Sequence, residues 1–233
     1  AVADAKLHRA APAVYRATDL VELARTADRD TAFEAETQGL ADLIMSPEFG
    51  SGLYAFDLVN RRAKRPVGVP TSASARPVTT VGVVGAGLMA SQLALLFVRR
   101  LKVPVVLTDL DAERVERGVA AVHGEIDALL GKGRLSPDAA NRLKALVTGS
   151  VDVETAFAAA DLVIEAVFEE LEVKKQVFAR VEAAVSPECV LMTNTSSLSV
   201  TAMAADLKHP ERVVGFHFFN PVAVLPLVEV VRG

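Results

Sequence analysis

The sequence predicts a doubly wound α/β protein, in which helices cover both faces of a parallel β-sheet, preceded by a small helical segment at the N-terminus. The first observation is that short apolar strands alternate with helical apolar patterns from residue 79 onwards, which is typical of a sheet buried on both faces. The second is a glycine-rich turn directly after the first strand. The third is size, because 233 residues suffice for one large domain with an appendage.

Residues 1–65 are predicted to form the helical segment. Only a short helical pattern, at 20–24, precedes Asp28, and after Asp28 apolar residues recur at helical spacing. Ser46-Pro47 is typical of an N-cap followed by proline at the first helical position. Because two short helices cannot bury a core of their own, we expect this hairpin to dock on a neighbour. Residues 66–77, rich in Pro, Ser, Ala and Val, are a predicted linker.

Four basic residues close the helical segment. They favour a solvated helix end over a contact with nucleic acid or phosphate. These residues are Arg61, Arg62, Lys64 and Arg65.

The glycine turn indicates a dinucleotide site. The β-branched run 79–84 ends in the turn, and a helical apolar pattern starts directly after it. Gly85 permits the tight turn, Gly87 lets the backbone approach a pyrophosphate, and the small Ala90 lets the helix pack on the strand. The free N–H groups at the start of that helix favour anionic phosphates. Strand, turn and helix in this order predict a Rossmann-type fold.

An acidic residue ends the second predicted strand. Asp109 lies about 20 residues after the glycines, where a carboxylate accepts a hydrogen bond from a ribose 2′-hydroxyl. It would repel the 2′-phosphate of NADP, so NAD is the favoured cofactor. The alternative is that Asp109 caps the next helix, although Asp111 could do so equally well.

The remaining elements continue the alternation. A long amphipathic helix ends at Gly131 and Ser136-Pro137 starts a shorter one, so a helical hairpin is inserted before the third strand. A further helix is predicted at 171–185. The later strands are predicted at 145–148, 162–167, 189–193, 213–218 and 227–231.

Composition excludes several classes of function. The net charge of −4 leaves no general basic field for nucleic acid, and no apolar run reaches the ~18 residues of a membrane span. The N-terminus lacks the apolar core of a secretory signal. The single Cys189 cannot form an internal disulfide, which favours a reducing compartment, the cytoplasm or a matrix. Four scattered histidines and one cysteine predict no metal site.

Polar residues follow several strands at the edge where ligands bind in such sheets. Any one of them could simply cap a helix, and Ser196 could do so for a helix that starts near Leu198. Because these residues follow separate strands and meet at one edge of the sheet, together they predict a site there. They are Glu169, Lys174, Asn194, Ser196, His217 and Asn220.

His217 has two readings. Between Phe216 and Phe218 it could be a packed, aromatic-like residue. However, Glu229 lies in an apolar run, where an unpaired carboxylate would be costly to bury. A pair with His217 gives this carboxylate a partner. The carboxylate in turn orients the imidazole and favours its charged form. His217 could then take a hydroxyl proton while a hydride passes to a nicotinamide.

Four separated motifs carry a family resemblance over about residues 78–233. They are G-A-G-L-M-A, I-E-A-V-F-E-E-L-E-V-K-K, T-N-T-S-S-L-S-V and G-F-H-F-F-N-P-V-A-V-L-P-L-V-E-V-V. Together they resemble the NAD-binding domain of L-3-hydroxyacyl-CoA dehydrogenases. The resemblance implies NAD-dependent oxidation of a (3S)-3-hydroxyacyl-CoA to a 3-oxoacyl-CoA in fatty-acid β-oxidation.

The resemblance also implies roles for single residues. His217 matches the catalytic base, Glu229 its paired carboxylate, and Ser196 the serine near the substrate oxygen and the histidine. Asn220 matches a supporting residue on the substrate side. The implied cofactor contacts are Gly85, Gly87, Leu88, Met89, Asp109, Glu169, Lys174 and Asn194.

Two positions depart from the family, which usually has glycine where this chain has Ala90 and Gln92. Ala90 is compatible with helix packing. Gln92 adds bulk within the first turn of the helix, which leaves open whether this turn holds NAD as firmly as the glycine-richer version does.

The chain is expected to be a fragment. It lacks an initiator Met and stops directly after a strand-like run. Residues 1–65 resemble the end of an enoyl-CoA hydratase/isomerase region, an arrangement similar to the large subunit of bacterial multifunctional fatty-acid oxidation enzymes. The family's C-terminal helical domain, which closes the acyl pocket, would begin after Gly233. The fragment is therefore expected to bind NAD but turn over poorly.

Three questions stay open from the sequence. The chain could be an NAD-binding module without activity. It could also belong to a dehydrogenase of a hydroxy acid that carries no CoA. Association as a homo-oligomer or within a multienzyme complex is compatible with the resemblance.

Overall fold

A computed structural model of the protein describes residues 10–63 and 75–233. The chain divides into two compact units, Ala1–Ala75 and Arg76–Gly233. Most of the predicted linker, 66–77, lies outside the described residues. The assignment of residues 1–65 to a hydratase-like region stays a prediction.

The described part of the first unit is helical. Its helices are α1 (Pro12–Leu23), α2 (Arg29–Ile44) and α3 (Pro47–Asp57), followed by a π-helical turn at Leu58–Arg62. Ser46 caps α3 and accepts a hydrogen bond from Phe49 N–H, as predicted. Helix α1 is much longer than the short predicted pattern, because Pro12 occupies its first position and starts the helix instead of breaking it.

The second unit is built on a seven-stranded sheet with the order β3-β2-β1-β4-β5-β6-β7. The strands are β1 (Val81–Val84), β2 (Val105–Thr108), β3 (Val147–Ser150), β4 (Leu162–Glu165), β5 (Val190–Thr193), β6 (Val213–Phe218) and β7 (Val228–Arg232). The helices are α4 (Leu88–Leu101), α5 (Ala112–Gly131), α6 (Pro137–Ala145), α7 (Val153–Phe157), α8 (Leu171–Ala184) and α9 (Val200–Ala204), with a 3-10 turn at Pro210–Arg212. The doubly wound Rossmann-type fold is confirmed.

Several details of the second unit differ from the prediction, and β4, for example, ends at Glu165, two residues before its predicted end. Strand β7 pairs antiparallel with β6, whereas the other neighbouring strands pair in parallel. The connection from Phe218 to Val228 explains this, because a parallel return needs a crossover of about a dozen residues or more. Strand β3 starts two residues later than predicted, because α6 runs on to Ala145.

Apolar residues fill the space on both faces of the sheet. Val83 packs with Leu93 and Ile126 on one face, and the next residue, Val84, packs with Phe178 on the other. Side chains alternate between faces along a strand, so consecutive valines can serve both cores. No helix within the described ranges is long and apolar enough to cross a bilayer.

The strand order places a crevice next to β1. The chain moves outward from β1 to β3 on one side and continues from β4 on the other, so β1 and β4 are neighbours at the point where the order reverses. Ligands bind at such points, beyond the carboxyl ends of the strands. Gly85 follows β1 here with a φ of 104°, and a Cβ would lie 2.8 Å from the carbonyl oxygen of Ala166 after β4. Only glycine fits that position without strain.

Candidate active site

The start of α4 is open towards the crevice. Gly87 is the N-cap of α4, and a Cβ at this position would meet no atom within 4 Å. Gly85, Gly87, Leu88 and Met89 line a groove of about 630 Å³. Unpaired N–H groups at the beginning of a helix attract anions, so a diphosphate fits here.

Asp109 faces the glycine turn. Its Oδ2 accepts a hydrogen bond of 2.8 Å from Ala86 N–H, and its Oδ1 accepts one of 2.7 Å from Leu110 N–H. Asp111 caps α5 by accepting from Arg114 N–H. The cap is therefore assigned to Asp111, and Asp109 is left in the wall of the groove, where its carboxylate fits a ribose diol.

An ion pair is enclosed below the ends of β4 and β5. The ammonium of Lys174 lies 2.6 Å from Oε1 of Glu165 and 3.1 Å from Oε2 of Glu169. The side chains of Lys174 and Glu165 are each only 1% exposed. Glu165 also accepts hydrogen bonds from Thr193 Oγ1 at 2.8 Å and from Val167 N–H at 2.7 Å. These bonds compensate for the removal of the carboxylate from water.

Sequence reasoning did not single out Glu165. The available signal was a lone carboxylate at the end of the apolar strand L-V-I-E, the same kind of signal that drew attention to Glu229. Lys174 was predicted to line the nicotinamide side, and the structure encloses its ammonium between two carboxylates. Its direct effect within the protein is to hold Glu169.

Glu169 connects this ion pair to the segment after β5. Its Oε1 accepts hydrogen bonds from Thr195 Oγ1 and from Ser196 N–H at 2.9 Å. Burial raises the pKa of this carboxyl, but the bonds from Thr195, Lys174 and Ser196 outweigh burial and hold the pKa below its usual 4.5. Glu169 is therefore anionic at neutral pH and fixes the backbone at Ser196.

His217 lies between an acid and a hydroxyl. The antiparallel register places His217 directly opposite Glu229, and Nδ1 is 2.7 Å from Oε2 of Glu229. On the other side of the ring, Nε2 is 3.0 Å from Oγ of Ser196. An imidazole that donates from Nδ1 to a carboxylate presents a basic Nε2. The arrangement can therefore accept a proton at Nε2 and stabilise the resulting cation through Glu229.

Ser196 does not cap a helix. Ser199 is the N-cap of α9 and accepts a hydrogen bond from Ala202 N–H. The hydroxyl of Ser196 contacts His217 instead. This exposed serine can donate a hydrogen bond to a substrate oxygen next to the imidazole.

The two asparagines make structural contacts of different kinds. Asn194 Oδ1 accepts a hydrogen bond of 2.9 Å from Phe218 N–H, which joins the ends of β5 and β6. Asn220 is exposed, and its Oδ1 accepts a hydrogen bond of 3.2 Å from Nε2 of Gln92. The side chain of Gln92 thus engages the segment after β6.

No group of three or more potential metal ligands is found among residues 10–63 and 75–233. The site combines an open helix start, a carboxylate in the groove wall and an imidazole at the same edge of the sheet. This arrangement suits the binding of a dinucleotide and the transfer of a proton. The residues present fit NAD.

Comparison with known proteins identifies the family. The family model described as "3-hydroxyacyl-CoA dehydrogenase, NAD binding domain" matches residues 80–233. A curated 3-hydroxyadipyl-CoA dehydrogenase from Escherichia coli K12 is 43% identical over 156 residues, which is 67% of this chain and 32% of the relative. The chain thus spans about a third of the length of that relative.

Solved structures give the same result. The crystal structure of 3-hydroxybutyryl-CoA dehydrogenase from Escherichia coli K12 is 42% identical with a TM-score of 0.63, covering 66% of this chain and 32% of that one. The dehydrogenase part of multifunctional enzyme 1 from C. elegans is 28% identical with a TM-score of 0.61, covering 70% of this chain and 37% of that one.

Proposed function

The chain belongs to the family of NAD-binding domains of 3-hydroxyacyl-CoA dehydrogenases, and from this premise we propose that it is the cofactor-binding and proton-transferring part of such an enzyme. The reaction is the oxidation of a (3S)-3-hydroxyacyl-CoA to a 3-oxoacyl-CoA. The observation that carries the proposal is the contact of His217 with both Glu229 and Ser196 at the carboxyl edge of the sheet.

His217 is the general base of this proposal. Nε2 takes the proton of the substrate hydroxyl, and Glu229 stabilises the imidazolium that forms. Ser196 holds the substrate oxygen next to Nε2. NAD, when bound, would supply the acceptor for a hydride from the carbon that bears this hydroxyl, so the alcohol would lose one hydride and one proton in total. The ketone is the product.

The groove residues hold the cofactor. The open start of α4 suits the diphosphate, and Asp109 suits the adenosine ribose while disfavouring the 2′-phosphate of NADP. The nicotinamide side is assigned to Glu169 and Asn194, with Lys174 enclosed behind Glu169 and acting through it. The diphosphate side is assigned to Gly85, Gly87, Leu88 and Met89.

The whole protein is proposed to be larger. The chain spans 32% of a curated relative, and one structural neighbour is the dehydrogenase part of a multifunctional enzyme. We propose that the chain is part of a β-oxidation enzyme of the cytoplasm, with a hydratase-like region before it and a helical domain after it, which works as a homo-oligomer or in a multienzyme complex. The chain alone binds NAD but turns over poorly.

The test uses the longer protein and the substitution His217→Ala. NAD-dependent oxidation of 3-hydroxybutyryl-CoA should fall by about 10²–10⁴-fold, because general-base catalysis contributes that much. NADH binding should change little. His209→Ala is the matched control, since His209 is exposed and its ring forms a hydrogen bond with the neighbouring Glu211.

Two results would contradict the proposal. Full activity of His217→Ala would mean that the chain is an NAD-binding module without a catalytic histidine. Faster oxidation of hydroxy acids that lack CoA than of 3-hydroxybutyryl-CoA would assign the chain to another substrate class.

A further inference from the structure

Gln92 joins two parts of the second unit that are far apart in sequence. Its Oε1 accepts a hydrogen bond of 2.8 Å from Val222 N–H, and its Nε2 donates one of 3.2 Å to Oδ1 of Asn220. Both ends of the side-chain amide are thus used on one short segment. This segment, residues 219–227, is called the β6–β7 loop below because it connects those two strands.

Among residues 10–63 and 75–233, the β6–β7 loop has few other anchors. The side chain of Val222 is buried in the same core cluster as Leu93 and Phe218. The residues on either side of it, from Asn220 to Leu227, are otherwise exposed. The amides of Val224 and Leu225 bond only within the loop, to the carbonyl of Pro221. Gln92 therefore provides the polar attachment of the loop to α4.

The position of the loop matters for the site. It starts directly after β6, which carries His217, and ends at β7, which carries Glu229. Asn220, the residue that Gln92 contacts, lies three residues after His217. Helix α4, which carries Gln92, begins at the open end assigned to the diphosphate. One helix thus contacts both the cofactor groove and the segment beside the base.

We propose that Gln92 is a positioning residue that fastens the β6–β7 loop to α4 and thereby holds Asn220 in place for the acyl-CoA substrate. The part that concerns the substrate rests on the proposed function. Gln92 acts on substrate binding and leaves NAD affinity and the chemical step almost unchanged, because its amide contacts the loop and is not among the residues lining the cofactor groove.

Three substitutions separate the roles of the amide. Gln92→Met keeps an unbranched side chain of similar size and removes both hydrogen bonds. Gln92→Glu keeps an acceptor for Val222 N–H, and the amide of Asn220 can turn to donate to the carboxylate. Gln176→Met is the matched control, because Gln176 is exposed on α8.

The first measurement is hydrogen exchange of the Val222 amide in the chain itself, combined with NADH titration. Gln92→Met should speed exchange about tenfold, as expected for the loss of one hydrogen bond, while Gln92→Glu and Gln176→Met stay near wild type. The NADH dissociation constant should stay within about twofold in every variant. Unchanged exchange in Gln92→Met, or a large loss of NADH affinity, would overturn the proposal.

The second measurement is steady-state kinetics of the longer protein. Gln92→Met should raise the KM for the acyl-CoA substrate about tenfold with little change in kcat. Gln92→Glu should keep the KM close to the wild-type value. An effect on kcat alone would overturn the positioning role. If wild type oxidises no 3-hydroxyacyl-CoA, the proposed function fails, and with it the substrate part of this inference, whereas the exchange result still decides whether Gln92 fastens the loop.

Discussion

At the scale of single residues, the carboxylate of Glu165 helps to position other residues of the site although it is itself buried. It holds Lys174, which in turn holds Glu169, and Glu169 fixes the backbone at Ser196. Ser196 then contacts His217. The order of these contacts means that a buried carboxylate on β4 influences the position of a hydroxyl after β5.

Glu165→Gln should destabilise the protein by about 3–5 kcal/mol, because it removes one partner of a buried ion pair and leaves the other charge enclosed. Lys174→Met should cost a similar amount. The double variant should cost much less than the sum, since no enclosed charge then remains and the partly exposed Glu169 keeps its hydrogen bonds from Thr195 and Ser196. Urea unfolding curves with unchanged slopes measure these differences. Additive costs in the double variant would show that the two residues act independently.

The sequence allowed some of these residues to be predicted and not others. The pair of Glu229 and His217 was predicted from the cost of burying a carboxylate. The structure brings the two side chains together although that of Glu229 is 50% exposed, because the antiparallel register places them opposite each other. The hydrogen bond between Gln92 and Asn220 could not be predicted, since Asn220 lies 128 residues later and comes close to Gln92 only in the folded sheet. Local patterns contain no such information.

At the scale of elements, the position of the glycine turn depends on α5. A Cβ on Gly118 of α5 would lie 2.7 Å from Cβ of Ala86 and 3.0 Å from its carbonyl oxygen. Ala86 is also the residue whose N–H donates to Asp109. The close approach of α5 therefore sets the positions of both the turn and the Asp109 carboxylate.

Gly118→Ala should cost about 1–3 kcal/mol of stability by overpacking and should weaken NADH binding, because the backbone at Ala86 must move. Gly124→Ala is the matched control on the same helix, since a Cβ there meets no atom within 4 Å. That control should be neutral or stabilising by up to ~1 kcal/mol through helix propensity. Thermal unfolding and NADH fluorescence titration measure both effects. Equal behaviour of the two variants would contradict the packing argument.

Element boundaries were predicted less well than element types. Capping by Ser46 and Ser136 could be predicted, because a hydroxyl followed by proline acts locally. The start of β3 and the direction of β7 could not be predicted as reliably, since they depend on where α6 ends and on the partner strand. Non-local pairing decides such details.

At the scale of the whole molecule, the reactivity of the single cysteine can show whether the second unit is folded. Cys189 is 1% exposed and lies in the core cluster on the face of the sheet that packs against α8. Burial raises the pKa of its thiol to about 11, so the reactive thiolate is scarce in the folded protein at neutral pH.

We expect Cys189 to resist alkylation by iodoacetamide at neutral pH until denaturant unfolds the unit. The raised pKa also gives a pH dependence: the stability associated with the protonated thiol is present below pH 9.0, the ordinary value for the thiol, and is lost as pH rises towards about 11. Cys189→Ala should lose this part of the dependence. Rapid labelling in native buffer would contradict the enclosed position.

The order of strands has a consequence for ligand length. Two strands, β4 and β5, separate β1 from β6 in the sheet. At a spacing of about 4.8 Å per strand, the turn after β1 and the imidazole on β6 are roughly 14 Å apart across the sheet. A ligand anchored by its phosphates at the turn must extend over this distance to reach His217. Asp109 follows β2, on the opposite side of β1 from β6. A ligand with two arms on its phosphates, as in a dinucleotide, therefore suits this spacing: one arm can lie at Asp109 while the other extends across β4 and β5.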